Sequence, residues 1–175
     1  MNLPQFKYHP NPLKTGAICK SENKCVCCGR KRGYIYCASV YGEQDLDDCL
    51  CPWCIANGKA AEKFDCSFID DYPLYQAGIE ERIIYEISKK TPGYHSWQQE
   101  CWLTHCQDAC EFHGDATREE VREFLSQDYT LFGAEELDES DISQILSYYQ
   151  PGGNPAIYKF ICRHCGQIQY SMDFS

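Results

Sequence analysis

Three cysteine pairs with two residues between partners, Cys25/Cys28, Cys51/Cys54 and Cys162/Cys165, set the tightest limit on how this chain can fold. Two intervening residues let the backbone wrap one ion, placing each sulfur about 2.3 Å from a zinc while nearby amides donate to the thiolates. Glycine follows both Cys28 and Cys165 and supplies the left-handed turn that such a knuckle needs. The first two pairs are read as one site of Cys25, Cys28, Cys51 and Cys54. Knuckle, strand, loop and a second pair at a helix start make a treble-clef-like unit. Pro52 suits a first helical turn, and a helix N-terminus favours thiolate charge. The third pair needs two partners. Cys101, Cys106 and Cys110 lie in one stretch with His105 and His113 beside them. Cys106 and Cys110 are four apart, so one helical turn would aim both sulfurs at one point. The second site is therefore read as Cys106, Cys110, Cys162 and Cys165, with Cys101 and His105 as substitutes. Two zinc ions are expected; iron in the same four-thiolate geometry is the alternative, because thiolates suit both.

Fourteen cysteines in 175 residues would also fit a disulfide scaffold, and compartment separates the two readings. Residues 1–10 hold no apolar h-region and no small-residue cleavage site. No apolar stretch approaches the roughly 18 residues that span a membrane. A cytoplasmic, reducing location follows as the expectation, and thiols kept reduced at this density bind metal. The balance is acidic, 26 Asp and Glu against 16 Lys and Arg for a formal charge of −10. Two filled four-cysteine sites would carry it to roughly −14. Such a surface repels phosphate backbones and favours a basic protein partner.

The rest of the chain reads as α+β. Pro4, Pro10 and Pro12 make the segment from Leu3 to Lys14 an extended arm. A strand is expected over Tyr34–Tyr41 and a helix over Ile55–Phe64, with Gly58 as a weak point. Ile79, Ile83, Ile84 and Ile87 predict an amphipathic helix that stops before Pro92. Thr117 with Glu120 fits a capping box for a helix through Leu125, and another helix is expected from about Asp141 to Tyr149. Two strands, Ala156–Ile161 and Gln167–Phe174, flank the Cys162–Cys165 turn as a zinc-ribbon hairpin. The division expected is residues 1–70, the arm and treble-clef-like unit, and residues 71–175, helices plus ribbon, packed as one body.

The remaining thiols, Cys19, Cys27, Cys37, Cys49 and Cys66, are read as small apolar packing groups, although Cys27 and Cys49 adjoin proposed ligands and could replace one. His164 is read as pointing away from the metal, and His9, His95 and His113 as surface or hydrogen-bonded residues. The acidic runs Glu43–Asp48 and Glu135–Asp141 are read as solvated loops or helix-start charges. Trp97 and Trp102 are read as core or metal-shell packing.

The arm from Leu3 to Gly16, the Cys51-Pro-Trp-Cys54 pair, the Trp102–Cys110 segment and the final Cys162-Arg-His-Cys165 together resemble the CbrC family over essentially the whole chain. The resemblance implies a small, soluble, cysteine-rich bacterial protein, linked by family name to colicin tolerance. It transfers no catalytic residues.

Three functions follow. A non-enzymatic zinc-stabilised binding protein leads, because sites closed by four thiolates lack the open position of a catalytic zinc. A thiol redox protein, or a switch that ejects zinc on oxidation, would use the Cys51-Pro-Trp-Cys54 motif. A nucleic-acid-binding ribbon would use Lys24, Arg30, Lys31 and Arg32, with Tyr34 and Tyr36 stacking on bases.

Overall fold

A computed structural model describes residues 2–125, 131–133 and 138–175. In chain order the elements are β1 (Ile18–Lys20), β2 (Tyr34–Tyr36), α1 (Pro52–Ala56), α2 (Lys59–Phe64), α3 (Tyr72–Gln76), α4 (Glu81–Lys90), β3 (Thr104–His105) and β4 (Asp108–Ala109), then β5 (Glu111–Asp115), α5 (Arg118–Leu125), β6 (Leu131–Phe132), α6 (Glu139–Tyr148), β7 (Ala156–Ile161) and β8 (Ile168–Asp173). The fold is mixed α and β. β1–β2 and β3–β4 are two-stranded antiparallel pairs, and a four-stranded sheet runs β5-β7-β8-β6 with only β6/β8 parallel. No helix among the described residues is long and apolar enough to cross a membrane.

Local chemistry explains most of these boundaries. β7 and β8 pair in unbroken register from Ala156/Asp173 to Ile161/Ile168, on either side of the cysteine turn. Thr117 and Glu120 exchange side-chain-to-amide hydrogen bonds of 3.1 and 2.8 Å at the start of α5. α6 begins earlier than the expected Asp141, because Asp138 and Asp141 form a second capping box. Of the acidic run 135–141, residues 135–137 lie outside the described residues. The expected helix 55–64 is two helices, since Gly58 adopts φ +74 and breaks the ladder between α1 and α2. The expected strand 34–41 stops at Tyr36, whose amide donates to the Leu50 carbonyl; the Cys37 amide then donates to the Ala17 carbonyl, and Tyr41 pairs separately with Ser67.

Three groups of buried side chains fill the molecule. One runs from Phe6 to Phe68 and encloses Cys25, Cys51 and Cys54. The second is aromatic: Tyr94 stacks on Phe112 with centroids 4.1 Å apart, and Trp102 and Phe160 pack edge-on beside them. Trp102 donates its indole N–H to the Cys110 carbonyl at 2.8 Å, so its polar atom is satisfied in the interior. Each such ring contributes about 1.5–3 kcal/mol by burial. The third group joins α5 and α6 to β7 and β8. The arm is bound to the second group, as the Phe112 amide donates to the Tyr8 carbonyl at 2.8 Å. His9, fully buried, bridges Pro92 O and Thr15 Oγ1. Trp102 is the core residue expected; Trp97 is not, standing 53% exposed.

Candidate metal centres

The first centre is built by a turn and a helix start. In the knuckle the Gly29 amide donates to the Cys25 carbonyl at 2.7 Å, and Gly29 takes φ +69. Lys63 Nζ donates to the carbonyls of Val26 and Cys27 and anchors the knuckle to α2. Cys51 caps α1 with Pro52 at its first position, and one helical turn brings Cys54 round to the same side. The four sulfurs of Cys25, Cys28, Cys51 and Cys54 all lie within 4.8 Å of one another. Cys25–Cys54 and Cys28–Cys51 are 3.9 and 3.8 Å apart. A tetrahedron with zinc–sulfur arms of about 2.3 Å has edges of about 3.8 Å, so the donor set fits the ion. None of the fourteen cysteines is joined in a disulfide among the described residues.

Electrostatics inside this group point the same way. The Cys51 thiol and the amides of Cys28, Cys51 and Cys27 donate to the Cys25 sulfur and draw its pKa down to about 4. Cys51 is raised in turn, by holding that hydrogen bond and by burial, and Cys54 is raised by burial and its neighbouring thiols. Without an ion the pocket accommodates one thiolate at the expense of the others. A dication removes that conflict by deprotonating coordinated thiols outright.

The second centre joins two hairpins. β7 and β8 present Cys162 and Cys165 on a knuckle of the same design, in which the Gly166 amide donates to the Cys162 carbonyl at 3.0 Å and Gly166 takes φ +75. The partners come from the β3–β4 turn: His105, Cys106, Cys162 and Cys165 lie within 4.8 Å of one another. His105 Nδ1 stands 3.2 Å from the Cys106 sulfur and 3.4 Å from that of Cys165, while the two sulfurs are 3.9 Å apart. Burial alone would raise Cys162, yet hydrogen bonds from the amides of Cys165 and His164 and from the His105 side chain bring it down to about 6. Cys162 is buried and His105 half-buried, whereas Cys106 and Cys165 are exposed.

Here the expected ligand set differs in one member. Cys110 is buried outside the group, its thiol donating to Gln169 Oε1 at 3.4 Å, and burial pushes that thiol up to about 12. The reason is that residues 104–109 form a hairpin, so a four-residue spacing does not place Cys106 and Cys110 on one face. His105, named as a substitute, stands in that place; its signal was adjacency to Cys106 at the tip of a two-residue turn. Cys101 lies outside the group, its amide and carbonyl engaged by the Tyr94 hydroxyl. Cys27 and Cys49 also fall outside the four-sulfur set. His164 turns its ring to Asp108, 2.9 Å away. Asp108, missed by sequence reasoning, is a buried carboxylate that also accepts from Tyr8 at 2.7 Å. Desolvation opposes its charge, but the hydrogen bonds from Tyr8 and His164 prevail and lower its pKa.

Residues 3–174 match the family described as "Uncharacterised protein family (UPF0167)". A UPF0167 protein of Pseudomonas aeruginosa is 49% identical over 178 residues, covering 99% of this chain and 98% of the relative. UPF0167 proteins of Mycobacterium bovis and Mycobacterium tuberculosis are each 36% identical over 179 residues, covering 99% of this chain and 94% of theirs. No solved structure matches the chain. The resemblance to the CbrC family is corrected by these matches, which carry the UPF0167 name in both the family and its relatives. The chain belongs to the UPF0167 family.

Proposed function

We propose that both groups are structural zinc sites and that the protein is a non-enzymatic, cytoplasmic interaction protein whose acidic surface meets a basic protein partner. One observation carries this reading: two separate groups of four ligand atoms converge within 4.8 Å, with sulfur–sulfur edges near those of a zinc tetrahedron. Each group takes all four ligands from the chain, unlike a catalytic zinc that keeps a position for water. The knuckle, β1–β2 and α1 support a treble-clef-like unit over residues 1–70. The two facing hairpins support a ribbon-like unit within 71–175. The formal charge of −10 favours encounter with a basic surface.

Elemental mass spectrometry on reductively purified native protein tests the reading. Two zinc ions per chain support it, two irons replace the metal, and one ion or none overturns the paired-site scheme.

A zinc-release switch is the second reading, favoured by the exposure of Cys106 and Cys165. It locates the switch at the second centre rather than at Cys51 and Cys54, which are buried. Metal content unchanged after mild peroxide would sink it. The nucleic-acid reading loses support, since Tyr36 is fully buried and Arg32 lies over the Trp53 ring at 5.0 Å.

A further inference from the structure

Away from both cysteine centres, a cavity of about 290 Å³ opens between the arm, the 94–97 segment, the end of β5 and the loop before β7. Its walls carry four aromatic rings, from Tyr94, Trp97, Phe112 and Tyr158. Gly114, Gly152 and Gly153 line it as well, and their missing side chains leave the backbone open to close approach. Gly114 sits where the β5/β7 register shifts between Phe112 and Asp115, with φ +89, so the same irregularity shapes the cavity wall.

Two side chains at this cavity are poorly explained by packing alone. Trp97 is half-exposed, with its indole N–H held by the Gly153 carbonyl at 3.1 Å, which fixes the ring at the cavity instead of in the core. The amides of Trp97 and Gln98 and the Ser96 hydroxyl all donate to Asp173 Oδ2, so the segment carrying that ring is pinned. Asp115 lines the cavity opposite Tyr158 in register, and among the described residues it makes no ion pair. Partial desolvation raises its carboxyl, countered mainly by the Gly152 amide. His95 is the only basic side chain in the lining, and it is exposed.

An exposed indole held in place, and an exposed carboxylate with no ion pair among the described residues, at the mouth of a small concave space are the chemistry that captures a compact organic cation. We propose that this cavity binds a guanidinium or alkylammonium group, with Trp97 supplying the ring face, Asp115 the counter-charge and the buried Tyr158 part of the aromatic wall behind them. The source is either a free small cation or a basic side chain on a peptide. This inference goes beyond the zinc reading and stands apart from it, because none of the lining residues belongs to a cysteine centre.

The test uses the full chain, metal-loaded as purified, followed by two-dimensional amide NMR that includes the indole N–H of Trp97. That signal is one of three tryptophan signals and is assigned with Trp97→Phe. N-acetylarginine amide is titrated against N-acetylcitrulline amide, an uncharged near-isostere. Saturable shifts at Trp97, Gly152 and Gly153 with arginine, at least tenfold weaker with citrulline, are expected. Trp97→Ala and the isosteric Asp115→Asn should each weaken arginine binding by about threefold to thirtyfold, with dispersion elsewhere in the spectrum unchanged as the control for folding. Ethylguanidinium binding as tightly as an arginine-bearing tripeptide identifies a free cation as the source; much tighter tripeptide binding identifies a peptide. Equal affinity for arginine and citrulline, or no saturable shift at the cavity, overturns the proposal. Zinc content is measured on the same samples, so failure of the metal reading and failure of this one are separately visible.

Discussion

His9 shows how one side chain couples the arm to acid stability. Burial lowers its pKa from 6.5 to about 4, against the hydrogen bond to the Pro92 carbonyl, with His113 lowering it slightly further. The folded state therefore binds fewer protons than the unfolded chain between those values. Its contribution is complete above pH 6.5 and is lost as pH falls toward 4, by up to about 3 kcal/mol. His9→Gln, which keeps a polar group beside Thr15 and Pro92 but cannot charge, should cost about 1 kcal/mol at pH 7 and flatten the acid limb. Urea midpoints of parent and variant at pH 7 and pH 5, in the same buffers, measure this. Any proton uptake by the cysteine groups is common to both proteins, so an unchanged pH slope would show that His9 does not titrate on unfolding. Ligand identity is decided at this scale too. Cys110→Ala should keep two zinc ions and lose about 1–2 kcal/mol, through a small cavity and a lost thiol contact. His105→Ala or Cys106→Ser should lose one ion. Metal-to-protein ratios on the three variants separate the hairpin ligand set from the helical one, and loss of zinc from Cys110→Ala would favour the latter.

The β3–β4 hairpin is the element on which the second centre depends, and its turn is made without glycine. Cys106 and Gln107 take φ of +52 and +58, the two left-handed positions of a tight hairpin turn. Such positions cost a side-chain-bearing residue roughly 1 kcal/mol each. Cys106 must keep its sulfur, but Gln107 belongs to neither cysteine group. Gln107→Gly should raise the melting temperature by about 1–2 °C once the greater freedom of the unfolded chain is subtracted. Gln107→Val, β-branched, should lower it by more. A calorimetric scan of both zinc-loaded variants checks the pair, and the reverse order would refute the turn. This hairpin also marks the limit of what could be read from sequence. β7, β8, the 81–90 helix and the Thr117/Glu120 cap were legible because apolar period, spacing and capping chemistry act within a few residues. The pairs Cys25/Cys28 and Cys51/Cys54 were legible for the same reason, while their meeting across a gap of 23 positions rested on the knuckle, strand and helix-start pattern between them. β5 was not, because its five residues gain stability from pairing with β7, more than forty positions away. Without that strand the cysteines at 101–110 looked like a helical turn, and Trp97 looked like core.

At the scale of the whole molecule the two centres differ in what shields them. Cys25, Cys51 and Cys54 lie inside the first group of buried side chains, with only Cys28 half-buried beside a surface cavity, so an ion held there would be shielded on most sides by that core. Cys106 and Cys165 meet solvent directly, and a competing ligand could reach an ion held there without unfolding. A site of three thiolates and one neutral imidazole also carries one negative charge where a four-thiolate site carries two. The loaded chain is thus about −13, not −14, and the exposed centre holds its ion with one less charge. Zinc transfer to an excess of a chromogenic chelator should therefore be biphasic: one equivalent leaves quickly at a rate set by chelator concentration. The other leaves more slowly, at a rate that is set by opening of the first core around Cys25, Cys51 and Cys54 and that rises with urea. His105→Cys assigns the phases, because a fourth thiolate should slow the fast equivalent several-fold and leave the slow one unchanged. Two equivalents released at one rate would mean that the centres open together, so that the exposed hairpin is locked to the first core instead of moving independently of it.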